Sequence, residues 1–248
     1  MRQTILAGNW KMNLNLKQAT ELAEGLKAGL QSKKTNHKVM VFPSSVHLPK
    51  VSEILKGTAI EVGAQNIYPS NLAAFTGEIC PDQLKDFGIS TSLLGHSERR
   101  QFLKETNEIL NQKIHFCLKQ NVKVMYCIGE TLEEREKSRT FEVVKTQIID
   151  GLKNVSSSDM TNIIIAYEPV WAIGTGKVAT PEQAQEVHAY IRGELKSVFS
   201  KEIADKTIIL YGGSVKPDNV KSLLDCPDID GGLVGGASQK TDSFLALL

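Results

Sequence analysis

The segment NIIIAYEPVWAIGTGKVATPEQ, residues 162–183, holds one apolar run, one long loop and one helix start. After Asn162, residues 163–167 are continuously apolar rather than alternating, which is typical of a strand buried on both faces of a parallel sheet. Thr180, Pro181 and Gln183 supply an N-cap, a proline at the first helical position and a capping-box partner. The segment therefore predicts a strand followed by a helix, the repeating unit of an α/β fold.

Similar apolar runs recur along the whole chain. They are found at residues 4–9, 38–42, 59–64, 90–95, 122–129, 207–213 and 231–236. Between them lie segments with helical periodicity, such as Leu16 to Leu30, or Phe102 and Leu103 together with Leu110 to Leu118. Eight strand-helix repeats in 248 residues favour a (β/α)₈ TIM barrel over a doubly wound sheet. We expect a single catalytic domain over residues 1–248.

The overall charge excludes some classes of partner. The chain has 29 Lys and Arg against 28 Asp and Glu, and a net charge of +1. This balance predicts neither nucleic-acid binding nor attraction to an anionic membrane, so any anion must be bound locally. No stretch approaches the ~18 apolar residues of a membrane span, and residues 1–13 lack the apolar run of a signal peptide.

The four cysteines, Cys80, Cys117, Cys127 and Cys226, show no CxxC spacing and no histidines partnered with them. This pattern argues against both a zinc site and a disulfide framework. We therefore expect reduced thiols and a cytoplasmic protein.

Polar residues follow the predicted strands at the edge where a barrel carries its chemistry. They are Asn9, Trp10 and Lys11; His96, Ser97 and Glu98; Glu130; Glu168; Ser214; and Gly235 and Gly236. His96 precedes SERRQF, which is typical of a first helical turn, and the positive end of the backbone dipoles favours a neutral ring that donates a hydrogen bond. A purely structural histidine is the alternative.

Lys11 and its neighbours have two interpretations each. Lys11 is either a solvated loop residue or the ammonium that stabilises a negatively charged intermediate. Asn9 either holds this lysine or contacts substrate. Glu98 and Arg99 are either a charge pair at a helix start or support for the site.

Two glycine pairs, in YGGSV (211–215) and LVGGAS (233–238), end the last two predicted strands. They are either tight turns or backbone N–H groups gathered around a phosphate. The sequence contains neither GxGxxG after the first strand nor GxxxxGK[ST], so a small phosphorylated metabolite is favoured over a dinucleotide.

Residues 168–179 separate the strand of the opening segment from its helix, whereas such loops commonly have ~2 to 6 residues. Pro169 holds Glu168 in an extended conformation, and Lys177 to Ala179 form a second hinge. Apolar residues 170–173 cover a site, while Gly174 and Gly176 allow close approach to an anion. The segment predicts a lid, with a packed surface loop as the alternative.

The chain closely resembles the triosephosphate isomerase family. The motifs that carry the resemblance are AGNWKMN (7–13), AFTGE (74–78), LGHSERR (94–100), CIGE (127–130), AYEPVWAIGTGK (166–177), YGGSV (211–215) and LVGGAS (233–238). The resemblance implies interconversion of dihydroxyacetone phosphate and D-glyceraldehyde 3-phosphate through an enediolate, in glycolysis and gluconeogenesis, without cofactor or metal. The acid-base chemistry of this family is well established in enzymology.

The resemblance also implies residue roles. Glu168 matches the base, His96 the neutral electrophile and Lys11 the cation at the oxyanion, with Asn9 beside it. The phosphate-binding positions are matched by Gly174, Ser214, Gly235 and Gly236, and the supporting positions by Glu98 and Glu130. The loop from Phe75 to Glu78 matches the segment through which Thr76 reaches the partner subunit, so a homodimer is expected.

Two positions depart from the family pattern. Ala73 and Ala74 stand where Gly-Ala is usual, which bears on dimer strength, and Gln239 stands where Leu is usual. Two other functions compete with the isomerase. One is a different phosphate-binding barrel such as a Schiff-base aldolase, which needs a lysine in an apolar interior. The other is a barrel that binds phosphorylated ligands or proteins without catalysis.

Overall fold

A barrel of eight parallel strands forms the centre of the molecule. The computed structural model describes residues 2–33, 35–173, 175–176 and 178–248. The strands are β1 Ile5–Asn9, β2 Lys38–Phe42, β3 Ile60–Val62, β4 Thr91–Leu94, β5 Lys123–Ile128, β6 Ile163–Tyr167, β7 Ile209–Tyr211 and β8 Gly231–Val234. Each lies within a run predicted from the sequence, and the (β/α)₈ prediction is confirmed.

Helices follow the strands and surround the barrel. They are α1 Leu16–Ser32, α2 Leu48–Leu55, α3 Pro81–Lys85, α4 Ser97–Phe102, α5 Asn107–Lys119, α6 Leu132–Glu136, α7 Thr140–Gly151, α8 Pro181–Val198, α9 Lys201–Lys206, α10 Val220–Leu224 and α11 Thr241–Leu245. The predicted start of α8 is confirmed, because Thr180 and Gln183 form a complete capping box with Pro181 in the first turn.

The strand order is β3-β2-β1-β8-β7-β6-β5-β4, with all neighbours parallel. A parallel bridge between Ala64 and Ser92 joins the two outer strands. There the Ala64 N–H donates to Thr91 O at 2.9 Å and the Leu93 N–H donates to Ala64 O at 2.8 Å. These bonds close the sheet, so the carboxyl ends of all eight strands face one rim.

Alternate residues of each strand are buried on opposite faces, which explains why the runs are continuously apolar. In β5, Met125 and Cys127 belong to the cluster inside the barrel, whereas Val124, Tyr126 and Ile128 pack among the residues that join strands to helices. The interior cluster fills the barrel, and only the rim is free for chemistry.

One prediction about a buried helix face is wrong. Phe102 and Leu103 are 68% and 60% exposed and do not share the buried face of Leu110 and Ile114. The chain leaves α4 at Phe102, and α5 begins only after Thr106, whose side chain accepts the Ile109 N–H. The threonine cap starts a new helix axis, so helical spacing does not extend across residues 103–106.

Candidate active site

A cavity of about 970 Å³ opens at the carboxyl ends of the strands. It brings together predicted residues from five strand ends: Asn9, Lys11, His96, Glu168, Ser214, Gly235 and Gly236. Gly174 and Lys177, named in the predicted lid, lie outside the described residues. The strand-end argument therefore placed these side chains at one rim correctly.

Glu168, directly after β6, is 2% exposed and tightly bound. Its Oε2 accepts the Ser97 N–H at 2.8 Å, and its Oε1 lies 2.9 Å from His96 Nε2. Burial pushes the pKa of Glu168 upward, but His96, the Ser97 N–H and Lys11 outweigh burial and hold this pKa below its ordinary value. The group is thus an ionised carboxylate, as a base must be.

His96 caps the amino end of α4, as predicted. Its Nδ1 accepts the Glu98 N–H at 3.3 Å, which leaves Nε2 to carry a proton and donate toward Glu168. Burial lowers the pKa of the His96 imidazolium, but the Glu168 carboxylate opposes burial and the net direction is upward. The sequence predicted a neutral ring that donates a hydrogen bond. The Glu98 N–H on Nδ1 agrees with a neutral ring, whereas the Glu168 carboxylate favours the imidazolium, so the neutral state stays a prediction.

Lys11 follows β1 in a left-handed backbone conformation, with φ of 52°. Its Nζ lies 2.6 Å from Glu98 Oε1, and its own N–H donates to Asn9 Oδ1 at 3.0 Å. Asn9 therefore holds Lys11, as one alternative predicted, and it also lines the cavity; contact with substrate stays a prediction. Glu98 reaches Lys11 from α4 and is thus more than a charge at a helix start.

The two glycine turns frame the opposite side of the cavity. A Cβ added at Gly213 would lie 2.2 Å from the buried Tyr211 hydroxyl, so this position requires glycine. The Ser238 hydroxyl donates to Gly235 O at 2.7 Å and fixes the second turn. Both turns present main chain without side-chain bulk, which suits a phosphate.

Glu130 anchors the start of the predicted lid. It is fully buried and accepts hydrogen bonds from the Tyr167 hydroxyl at 3.0 Å and from Trp171 Nε1 at 2.9 Å. The Arg135 guanidinium lies 4.8 Å from the centre of the Trp171 ring. Ile173, two residues further, lines the cavity. Trp171 of the predicted lid is therefore tied to the segment after β5 through one buried carboxylate.

The family comparison agrees with this geometry. The family model described as triosephosphate isomerase matches residues 4–248. The chain belongs to the triosephosphate isomerase family. A triosephosphate isomerase of Leptospira borgpetersenii is 59% identical over the full length of both chains. The Leptospira interrogans enzyme is 58% identical over the full length of both, and that of Flavobacterium johnsoniae is 47% identical over all of this chain and 99% of its own.

In this triosephosphate isomerase family member, several residues that hold the site were assigned no role from the sequence. The Ser97 N–H binds the Glu168 carboxylate, and the Gln65 amide donates to Lys11 O at 2.8 Å. The Asn219 amide donates to Ser214 O at 2.9 Å. The position of Ser97 directly after the capping residue His96 indicated a backbone N–H that is free to bind a carboxylate. No local pattern in the sequence marked Gln65.

Among the described residues, three predicted supporting residues do not line the cavity: Glu98 and Glu130, which contact Lys11 and Trp171, and Thr76. Thr76 lies in an exposed loop, in which Leu72 is 70% and Phe75 45% exposed. The Phe75 ring packs at 4.3 Å on Tyr68. Among the residues that the structure describes, no helix is long and apolar enough to cross a membrane, and no group of three His, Cys, Asp or Glu is placed to hold a metal.

Proposed function

We propose that this protein interconverts dihydroxyacetone phosphate and D-glyceraldehyde 3-phosphate through an enediolate, in glycolysis and gluconeogenesis. One observation carries the proposal: an ionised Glu168, the Nε2 of His96 and the Lys11 ammonium meet in a cavity that also contains two glycine turns. A carbon acid beside a carbonyl needs a close base together with donors for the oxyanion that forms.

Glu168 acts as the base that moves the proton between the two carbons. To reach the substrate, its carboxylate leaves the Ser97 N–H at 2.8 Å and His96 Nε2 at 2.9 Å. The freed Nε2–H then donates to the substrate carbonyl. Once the carboxylate has moved away, burial and the Glu98 N–H on Nδ1 both favour a neutral His96 ring.

Lys11 supplies the positive charge for the developing oxyanion, and its pairing with Glu98 fixes the position of the ammonium. Ser214, Gly235 and Gly236 hold the phosphate, together with Gly174 from the lid. Residues 170–173 exclude water over the site, which strengthens these interactions and prevents loss of phosphate from the intermediate. Glu130 supports the lid through Trp171.

A Schiff-base aldolase is less well supported. Such an enzyme needs a free amine in an apolar pocket, whereas the Lys11 ammonium is engaged by Glu98 at 2.6 Å. A non-catalytic binder has no use for a buried carboxylate aimed at a histidine in the same cavity. The isomerase proposal accounts for both features.

The decisive experiment is a coupled assay that starts from glyceraldehyde 3-phosphate and follows dihydroxyacetone phosphate. We expect turnover by the parent and a loss of about 10²- to 10⁴-fold in Glu168→Gln, with little change in the affinity for a phosphonate analogue. Glu108→Gln, a change of an exposed carboxylate in α5, is the matched control. If the folded parent protein is no more active than the assay without enzyme, the proposed function is disproved. If Glu168→Gln and the parent turn over equally, Glu168 is not the base.

A homodimer formed through the loop from Phe75 to Glu78 is part of the proposal, as is a cytoplasmic location. Leu72 and Phe75 expose apolar surface that a partner subunit would cover. We expect Phe75→Asp to yield monomers in sedimentation equilibrium, while Val198→Asp, at a position of similar exposure in α8, leaves the dimer intact. A monomeric parent at micromolar concentration would contradict this part.

A further inference from the structure

Arg100 of α4 holds the main chain on both sides of His96. Its guanidinium Nε donates to Gly95 O at 2.9 Å, and its backbone N–H donates to His96 O at 3.1 Å. Gly95 directly follows β4 and turns the chain in a left-handed conformation, with φ of 76°. The two bound carbonyls belong to the peptide groups that flank the His96 Cα. Arg100 therefore fixes the direction in which the imidazole leaves the main chain.

The end of β5 holds the guanidinium in turn. Nη2 of Arg100 donates to Cys127 O at 3.0 Å and to the Tyr126 hydroxyl at 3.2 Å, and Nη1 donates to Asn107 Oδ1 at 2.8 Å. These partners are neutral, so the contacts depend on the planar fork of the guanidinium as well as on its charge. Together with the bond to Gly95 O they make four hydrogen bonds, which leave the side chain one orientation.

Tyr126 connects this arginine to α7. Its side chain is fully buried, and its hydroxyl accepts from Arg100 Nη2 and donates to Gln147 O at 2.8 Å. A Cβ on Gly151 would lie 2.0 Å from the hydroxyl oxygen, so α7 packs closely on the phenol. The Gln147 side chain binds the Gly129 N–H at 2.7 Å and the Gly129 O at 3.1 Å. The polar contacts therefore run from the turn after β4 to the turn after β5.

The same contacts reach the main chain of Glu168, because Gly129 packs directly against it. We propose that Arg100 and Tyr126 are positioning residues that set His96 Nε2 relative to Glu168 Oε1, 2.9 Å away. Both side chains lie outside the described lining of the cavity, so they act through the main chain that they bind. The inference rests on the proposed function, in which His96 is the electrophile and Glu168 the base.

Steady-state kinetics of the full-length protein test this role. Tyr126→Phe keeps the ring and removes the hydroxyl, and we expect a fall in kcat of about three- to tenfold. Arg100→Lys keeps the charge but loses the fork, and kcat should fall by about 10- to 10²-fold while KM changes by less than about twofold. Arg192→Lys in α8 is the matched control, because Arg192 also donates to two main-chain carbonyls, Ala204 O and Thr207 O. It should lower Tm and leave kcat near that of the parent.

Nuclear magnetic resonance of the free protein tests the same role without the reaction. In protein labelled with ¹⁵N-histidine, the His96 Nε2–H that donates toward Glu168 gives a signal that is assigned by its absence in His96→Gln. Tyr126→Phe and Arg100→Lys should shift or broaden this signal, and Arg192→Lys should leave it unchanged. If Arg100→Lys does not fold, the milder Tyr126→Phe decides alone.

Three results would overturn the positioning role: an unshifted signal in every folded variant of Arg100 and Tyr126, parental kcat in these variants, or an equal loss of kcat in Arg192→Lys. An inactive parent in which the variants still shift the His96 signal would instead count against the proposed function.

Discussion

Gln147 of α7 provides the sharpest test of how the site is held. Its side-chain oxygen accepts the Gly129 N–H at 2.7 Å, and its side-chain nitrogen donates to Gly129 O at 3.1 Å. A Cβ on Gly129 would lie 1.8 Å from Glu168 O, so the two backbones are in close contact. The Glu168 N–H also donates to Ile128 O at 2.7 Å. Gln147 therefore fixes the peptide against which the backbone of Glu168, the proposed base, rests.

Gln147→Leu keeps the approximate volume and removes both hydrogen bonds. Gly129 is half-buried, so each orphaned backbone group costs about 1 to 2 kcal/mol, near the lower end of the usual range. The sum of about 2 to 4 kcal/mol lowers the Tm of a chain of this size by roughly 4 to 16 °C. A displacement of Glu168 by about 1 Å reduces kcat by up to ~10²-fold. We expect a drop in kcat with a smaller change in KM.

Gln185 in α8 supplies the control. Its amide donates to Asp228 Oδ2 at 2.7 Å and accepts the Asp228 N–H at 3.1 Å, the same two distances as in the pair at Gly129. Gln185→Leu should therefore lower Tm comparably while kcat stays near that of the parent. Steady-state kinetics and thermal unfolding of both variants decide the matter. If Gln147→Leu loses stability but retains parental kcat, or if both variants lose kcat equally, the positioning argument is refuted.

Two further predictions concern buried titratable groups away from the cavity. Burial lowers the pKa of His188 to about 4, so its stabilising contribution is complete above about pH 6.5 and is lost as the pH falls to about 4; His188→Gln should flatten that part of the pH dependence of unfolding free energy in urea titrations. Lys113→Met removes the ammonium at 2.7 Å from the buried Glu105 carboxylate but leaves Arg99 at 2.8 Å, so it should cost about 1.5 to 3 kcal/mol, as for a lost hydrogen bond to a charged group. The double variant Lys113→Met/Glu105→Leu should regain part of this loss in the same titration. A flat parental profile, or a double variant no more stable than the single one, would contradict the respective argument.

The strands were predictable because burial on both faces leaves a direct record in the sequence. The run at 122–129 contains β5, Lys123–Ile128, within one residue at each end. The start of α8 was equally predictable, since an N-cap, a proline and a capping partner act locally. The prediction failed between Phe102 and Thr106. There the apolar spacing alone indicated one continuous helix, whereas the Thr106 cap starts a new one.

The composition of the site followed from topology, but its electrostatics did not. Parallel strands bring their carboxyl ends together, so His96 and Glu168 were expected at one rim. No sequence rule gave the 2.9 Å contact between them, through which the Glu168 carboxylate raises the pKa of His96 against the effect of burial. The Gln147 contact with Gly129 was hidden for the same reason, because it depends on how a helix packs on a strand end.

Under the proposed function, the contacts of Glu168 link substrate binding to activation of the base. Its carboxylate is 2% exposed, so the cost of burying the charge is met by the Ser97 N–H and His96 Nε2. In the proposed reaction the carboxylate leaves both donors to reach the acidic carbon, and the substrate carbonyl takes over Nε2. The loss raises the basicity of Glu168 at the moment when a proton acceptor is needed. The same histidine thus keeps the base stable in the free protein and releases it when the carbonyl arrives.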